Sequence, residues 1–455
     1  MSFNHPNINC FIASKLRLAA STAVLCLLSF SFSLGQSVQT DTLKIMTYNV
    51  LNYGFPSTSG CPTLITANKH IYLKTILRYE NPDIVGLVKI DASPASFTTT
   101  EIVQQVLDSV CLGCYGHSAF TNLSGYTKEN MLYFKTSKLG YIGTTTIYSG
   151  DANISDINLH TLYYKDPNLS VNHDTAFIKI ILIHDKSGSN NASNRATEIA
   201  GAMSWLNTHV TSPGNFIFMG DFNTQSSTEA CFQDMINSSN LNTRFYDPPN
   251  QIGNWANNPS AFSHYLTEDT RAIDPGDCGA VGGISTRFVH ILCTQPVISG
   301  TYSVKYIPGS FNVIGNDGNH TNIALTDPPT NISVPSQVLN ALYYMSNHLP
   351  VSIKVAVTFP STTTNVADLS ISKINFAVFP NPVNGFIRFK ASHIPGDTCK
   401  IILKNSLGQN IIEEKHTVEN NSIDSQLNVF GLPRGIYFIE IISGNENQVS
   451  KVQLY

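Results

Sequence analysis

The chain has 455 residues, long enough for a sizeable core and, at about 150 residues per domain, for roughly three units. Hydrophobic residues make up 42%, which excludes disorder through lack of apolar content, and charged residues only 13%. With 27 Lys+Arg against 31 Asp+Glu the formal net charge is −4, so no basic excess exists to drive non-specific nucleic-acid binding.

Lys15 and Arg17 precede an uncharged run from Leu18 to Leu34, and the small residues Ser33 and Gly35 stand just ahead of Gln36. This is the pattern of a secretory signal peptide over 1–35. Ser21, Thr22, Ser29, Ser31 and Ser33 within the run count against a retained anchor, so no stable membrane span is expected after cleavage. The nine cysteines then lose Cys10 and Cys26, leaving an odd number in an oxidising compartment and at least one unpaired thiol. Cys111-Leu-Gly-Cys114 has zinc-knuckle spacing without a second Cys or His pair. A local disulfide or two ordinary small residues are the readings left.

In chain order, Leu43–Val50 reads as a strand, Lys69–Arg78 as a helix, Asn81-Pro-Asp83 as a turn and Ile84–Val88 as a second strand. Further strands are expected at Asn130–Phe134, Ala176–Ile183, Phe216–Met219, Phe288–Cys293 and Val351–Val357, and a helix at Arg195–Val210. Mixed strands and helices predict a layered α/β domain over 36–358. Pro360–Asn365 has linker composition, placing a linker at 359–374. Short alternating runs at Phe386–Lys390, Lys400–Leu403 and Ile436–Ile441, with turns between, predict a small all-β sandwich over 375–455.

Within that last segment Phe379-Pro-Asn-Pro-Val-Asn384, Asn405-Ser-Leu-Gly-Gln409, Leu432-Pro-Arg-Gly-Ile-Tyr-Phe438 and Lys451 occur in register. They resemble the type A C-terminal sorting domain of type IX secretion in Gram-negative bacteria. The resemblance implies a protein that is secreted or at the cell surface and has the type IX machinery as partner. An adhesive β-sandwich is the competing reading.

Three segments of the large domain carry candidate chemistry. Gly220-Asp-Phe-Asn223 follows a strand, and alternation puts Asp221 and Asn223 on one face, where a carboxylate and an amide suit a phosphate or a hard cation. Ser346-Asn-His-Leu-Pro-Val351 sets His348 ahead of a closing strand, and His184 ends another. Histidine is the side chain best suited to proton transfer near neutrality.

The ordered series Tyr48-Asn49, Asp83–Leu87, His184, Gly220–Asn223 and Asn347–Val351 resembles the endonuclease/exonuclease/phosphatase superfamily. That superfamily includes pancreatic deoxyribonuclease, abasic-site endonucleases, neutral sphingomyelinases and inositol polyphosphate phosphatases. Asn158–Asp166, Gln251–Trp255 and Gly315–His320 add to the likeness. It implies a four-layered α/β sandwich with a phosphoester site at the strand ends, served by Mg²⁺ if active. Asn49 and Asp221 would then bind or orient phosphate and water, Asn223 and His184 would hold a phosphate oxygen, and His348 would be the general base or the group that stabilises the pentavalent state.

The sequence departs from that family at three positions. Lys89 stands where a metal-ligating Glu belongs, Asn347 where an Asp precedes the last histidine, and Val289 where an Asp orients it. An ammonium cannot coordinate Mg²⁺, and valine cannot hold an imidazole tautomer. Asp91, two residues beyond Lys89, is the candidate substitute metal ligand; alternation turns Asp185 away, and Asp317 lies in a loop. The readings left are an impaired hydrolase of a phosphate-containing substrate, a non-catalytic anion-binding protein in which Lys89 meets the ligand, and a surface structural protein.

Overall fold

The computed structural model describes residues 38–55, 66–150, 153–167, 169–172, 175–360, 374–444 and 446–455. The signal peptide expected over 1–35 lies outside them, as does nearly all of the expected linker. Two compact units divide at Ser361/Thr362.

In the first unit the strands are β1 (Val38–Tyr53), β2 (Ile84–Asp91), β3 (Tyr115–His117), β4 (Lys128–Lys135), β5 (Leu139–Tyr148), β6 (Ile157–Tyr164) and β7 (Phe177–His184). They continue with β8 (Phe216–Asp221), β9 (Phe245–Tyr246), β10 (Val289–Thr294), β11 (Val304–Tyr306), β12 (Asn312–Val313) and β13 (Val351–Pro360). One sheet runs β11-β13-β1-β2-β4-β3, with β12 on β13, and the other runs β5-β6-β7-β8-β10-β9. Within β8, Ile217 and Met219 face one core, and Phe216 and Phe218 the other. Period-two alternation thus gives this strand two apolar faces, as a doubly covered sheet requires.

The two sheets pack face to face. Gly86 of β2 allows the close approach: a Cβ there would lie 2.5 Å from Leu182 Cδ1 and 2.8 Å from Met219 Cε. Helices Thr66–Glu80 and Ser336–Met345 join the core of the first sheet through Leu73, Ile76, Leu77, Val338 and Leu342. Helices Ala192–His209 and Ala230–Ile236 cover the far face of the second through Ile199, Met203, Leu206 and Phe232. The unit is a four-layered α/β sandwich. The expected strands and helices fall on observed ones, with Ala176, Val210 and Phe288 each one residue outside. β5, β6 and helix Ser336–Met345 were not anticipated, although the last has buried residues at helical spacing.

The second unit is all-β. Strands β14 (Asn375–Phe379), β15 (Phe386–Ser392) and β18 (Ser422–Asn428) form one antiparallel sheet. Strands β16 (Thr398–Asn405), β17 (Asn410–Thr417), β19 (Gly435–Ser443) and β20 (Glu446–Leu454) form the other. Both supply one core of their own, including Phe389, Ile401, Leu427 and Ile439.

Cys111 and Cys114 form a disulfide, Cys278 is also disulfide-bonded, and Cys231, Cys293 and Cys399 are buried free thiols. Closing so short a loop as 111–114 restricts the unfolded chain little. The Cys111→Ser/Cys114→Ser variant is expected to lose no more than about 2 kcal/mol in urea denaturation.

Candidate functional site

Strands β7, β8 and β10 end side by side: His184 pairs with Asp221 across the parallel ladder, and Val289 with Asp221 across the antiparallel one. Asp221 shares the parity of Ile217 and Met219, so its carboxylate faces the other sheet. There Asn49 of β1 donates its amide to Asp221 Oδ2 at 2.7 Å, while Asn49 Oδ1 accepts the Leu51 N–H at 3.0 Å. His348 Nε2 lies 3.6 Å and His184 Nε2 4.0 Å from the same Asp221 oxygen. Four of the sequence candidates thus meet at one carboxylate.

Asn223 departs from the expected geometry. Its φ of +51° breaks the alternation from Asp221. Its amide donates to the Asp185 carbonyl at 2.9 Å and its N–H to Asp221 Oδ1 at 3.0 Å. Asn223 therefore closes the turn that presents Asp221. The Asp185 carboxyl faces Glu198 and Arg195 instead of the cleft, as alternation requires.

The floor of the site is made by two bulges. The β1–β2 register slips between Asn49 and Tyr53, and the β2–β4 register between Leu87 and Ile90. Leu51, Asn52 and Lys89 take the left-handed backbone these slips demand, Lys89 at φ +65°. Lys69, from helix Thr66–Glu80, holds the β1 bulge: its ammonium donates to the carbonyls of Val50 at 3.2 Å, Leu51 at 2.8 Å and Met345 at 2.7 Å. Burial brings this amine down to about 7.

The Lys89 amine lies in the field of the site. Its neighbours in the field are Asp221, Glu268 and Asp277, which oppose the lowering that burial imposes on its amine. Glu268 and Asp269 were missed from the sequence. They lie in the loop before β10, where Glu268 bridges the backbone of both Thr286 and His348. Glu268 Oε1 stands 3.4 Å from His348 Nε2. Asn347 donates its amide to Glu268 Oε1 and, at 3.1 Å, to Asp269 Oδ1. Arg271 in the same loop donates to Asp277 Oδ1 at 2.7 Å and to the Tyr343 carbonyl at 2.8 Å. The available signal was Glu268-Asp269-Thr270-Arg271, a dense charge run in a charge-poor chain.

Burial brings His184 down to about 3, against the pull of Asp221, and burial also lowers His348, again against Asp221. Burial also raises the Asp221 carboxyl, but His348, His184, the Asn49 amide and the Asn223 N–H outweigh it and hold it below its ordinary value. Glu268 moves far upward, through burial and then through Asp269 and Asp221. His348 Nδ1, Glu268 Oε2 and Asn347 Oδ1 are buried without hydrogen-bond partners among the described residues. Val289, opposite Asp221 in the ladder, offers that Nδ1 no acceptor.

The residues do not fit the Mg²⁺ that the family resemblance implies. Among the described residues no three His, Cys, Asp or Glu side chains converge on a metal position. Asn347 turns its N–H donors to the nearby carboxyls, and Lys89 adds a like charge to the same cleft. Two unit charges 4 Å apart near a protein surface repel by about 4 kcal/mol, and a divalent ion doubles that. Asp91 accepts the Ser93 N–H at 3.0 Å, and no site group figures among the influences on its carboxyl. Asp317 pairs with His320 at 2.7 Å in its own loop.

On the β4 side, Lys128 lies 5.9 Å from the Phe55 ring centroid and 5.7 Å from that of Tyr126. Burial, then Lys89 and Lys186, bring its amine down to about 8. The cleft therefore has a cationic flank beside His184 and an acidic one at Glu268 and Asp269.

Fold and site together define an α/β sandwich with a polar cleft at its strand ends, carried ahead of a β-sandwich. Residues 377–454 match the family described as the secretion system C-terminal sorting domain, and the second unit is such a domain. It points to type IX secretion, hence to a secreted or cell-surface protein that engages that machinery. Among the described residues no helix is long and apolar enough to cross a membrane. Similar solved structures include an endonuclease/exonuclease/phosphatase family protein from Bacteroides thetaiotaomicron, with 12% identity over 70% of this chain and 99% of that one and a TM-score of 0.44. The human Nocturnin catalytic domain has 13% identity over 70% and 97%, with a TM-score of 0.41. A mannosyl-6-phosphatase from Bacteroides thetaiotaomicron has 12% identity over 69% and 99%, with a TM-score of 0.40. No curated protein matches the chain.

Proposed function

We propose that the large domain is an exported anion-binding domain on an endonuclease/exonuclease/phosphatase scaffold, and that it has lost metal-dependent phosphoester hydrolysis. A signal peptide over 1–35 takes it to the periplasm and the sorting domain across the outer membrane. The carrying observation is Lys89, whose cation lies in the field of Asp221, Glu268 and Asp277 where a hydrolase of this kind needs a carboxylate and a metal. A phosphoryl group entering the cleft meets Lys89 and the His184 imidazole, with Asn49 and Asn223 holding Asp221 in place. The His348 Nδ1 has no acceptor to fix its tautomer, and in another hydrolase replacing the Asp that does this for a histidine costs about four powers of ten in rate.

The test is hydrolysis of bis-(p-nitrophenyl) phosphate and of plasmid DNA with Mg²⁺ or Mn²⁺, beside a His348→Ala control. The expected rate is that of the blank for both proteins, with the melting temperature raised by inorganic phosphate. Turnover that His348→Ala abolishes would refute the loss of catalysis. An unmoved melting temperature would refute anion binding.

A further inference from the structure

We infer that Lys89 is a tethered replacement for the divalent cation, a fixed positive charge that closes the cleft to metal ions. The inference deepens the anion-binding reading and rests on it for the ligand, but its claim about metal stands on separate observations.

The first observation is geometric. Lys89 occupies a bulge at the end of β2, beside the bulge that ends β1, and its backbone is left-handed at φ +65°. A non-glycine residue there is strained, and such strain persists only where surrounding structure enforces it. Bulges at strand ends commonly re-aim a side chain, and the Lys89 amine lies in the field of Asp221, Glu268 and Asp277. Lys69, clamped on three carbonyls, holds the adjoining β1 bulge in place.

The second is charge balance. Asp221 is a fully buried carboxylate and needs a positive partner. Arg271 is committed to Asp277 at 2.7 Å, and the Lys69 ammonium to backbone carbonyls. Lys89 is a cation in the field of Asp221 that no carboxylate or carbonyl claims, with Lys128 on the flank beside His184. Among the described residues the Lys89 ammonium makes no hydrogen bond and no ion pair within 4.0 Å, so its donors remain available to an anion.

The third is the donor set. The amides beside the carboxylates turn N–H donors toward them: Asn347 donates to Glu268 and Asp269, and Asn49 donates to Asp221, so those carboxylate oxygens already meet positive partial charge. Val289 supplies no oxygen at all. The positions that lost acids and the position that gained a cation agree with one another, as expected of a site rebuilt around a single positive charge.

The experiment is Mn²⁺ binding to the full chain, read by electron paramagnetic resonance, for the parent, Lys89→Glu and the neutral Lys89→Gln. Circular dichroism confirms that each is folded. The parent is expected to leave millimolar Mn²⁺ free, while Lys89→Glu binds at least about tenfold more tightly once the like charge is gone. Parent binding as tight as that of Lys89→Glu overturns the inference. So does failure of both folded variants to bind. Calorimetric titration with inorganic phosphate in EDTA is the companion measurement, with binding to the parent and at least about tenfold weaker binding to Lys89→Gln expected from the loss of one charge-assisted contact. No phosphate binding to the parent, beside the expected Mn²⁺ result, would refute the anion-binding reading while supporting exclusion of the metal.

Discussion

Asn347→Asp is expected to destabilise the large domain by about 3 kcal/mol, the lower end of what an uncompensated buried charge costs. Position 347 is an asparagine facing two acids, and an aspartate there differs from it by one group. Here the Asn347 amide donates to Glu268 and Asp269, and all three side chains are buried. An aspartate at 347 removes both donors and adds a third carboxyl beside Glu268, which is already pushed toward protonation. Urea denaturation at pH 7 checks the size of the loss. Adding Glu268→Gln should recover more than half of it, since residues in one network couple strongly. A variant as stable as its parent would show that the three groups do not share a charge environment. Restoring acids at 89, 289 and 347 together is therefore expected to yield a sound protein only if position 268 is neutralised too.

The second large effect is a pH dependence centred on Glu129. This carboxyl is fully buried in β4; it accepts the Asn130 N–H at 3.1 Å, and its other oxygen has no partner. Burial, with Asp156 adding to it, pushes the group up to about 9 from an ordinary 4.5. The folded chain thus keeps a proton that the unfolded chain releases. Its contribution to stability is complete below pH 4.5 and is lost as pH rises toward 9. Each pH unit between costs about 1.4 kcal/mol, so about 3 kcal/mol disappears between pH 5 and pH 7. Glu129→Gln should remove that part of the slope, as measured by denaturation at the two pH values. An unchanged slope would mean the carboxyl is ionised in the folded chain.

Much of this architecture was legible in the residues. Phe216–Met219 announces a doubly buried strand, and the strand end puts Asp221 at the cleft. The turn before β13 delivers His348, and alternation correctly turns Asp185 away. What escaped the sequence has physical causes. Bulges have no period, so the register slip and left-handed backbone at Lys89 could not be foreseen. Glu268 and Asp269 sit in a loop with no apolar pattern to fix their direction, and only the backbone bridge to His348 reveals their place. Asn223 shares the parity of Asp221 on paper, but a left-handed φ overrides the rule. Helix Ser336–Met345 follows a Pro-rich stretch that masks its start.

The β2 bulge also bears on how this site can change. A left-handed backbone disfavours β-branched residues and tolerates unbranched ones, so position 89 behaves as a socket that fixes direction and leaves chemistry open. Lysine and glutamate are both unbranched at Cβ, and their codons differ at a single base. At constant geometry, then, cation and carboxylate at this position are one mutational step apart, and the sign of the cleft's charge can reverse without any rearrangement of the sheet that carries it.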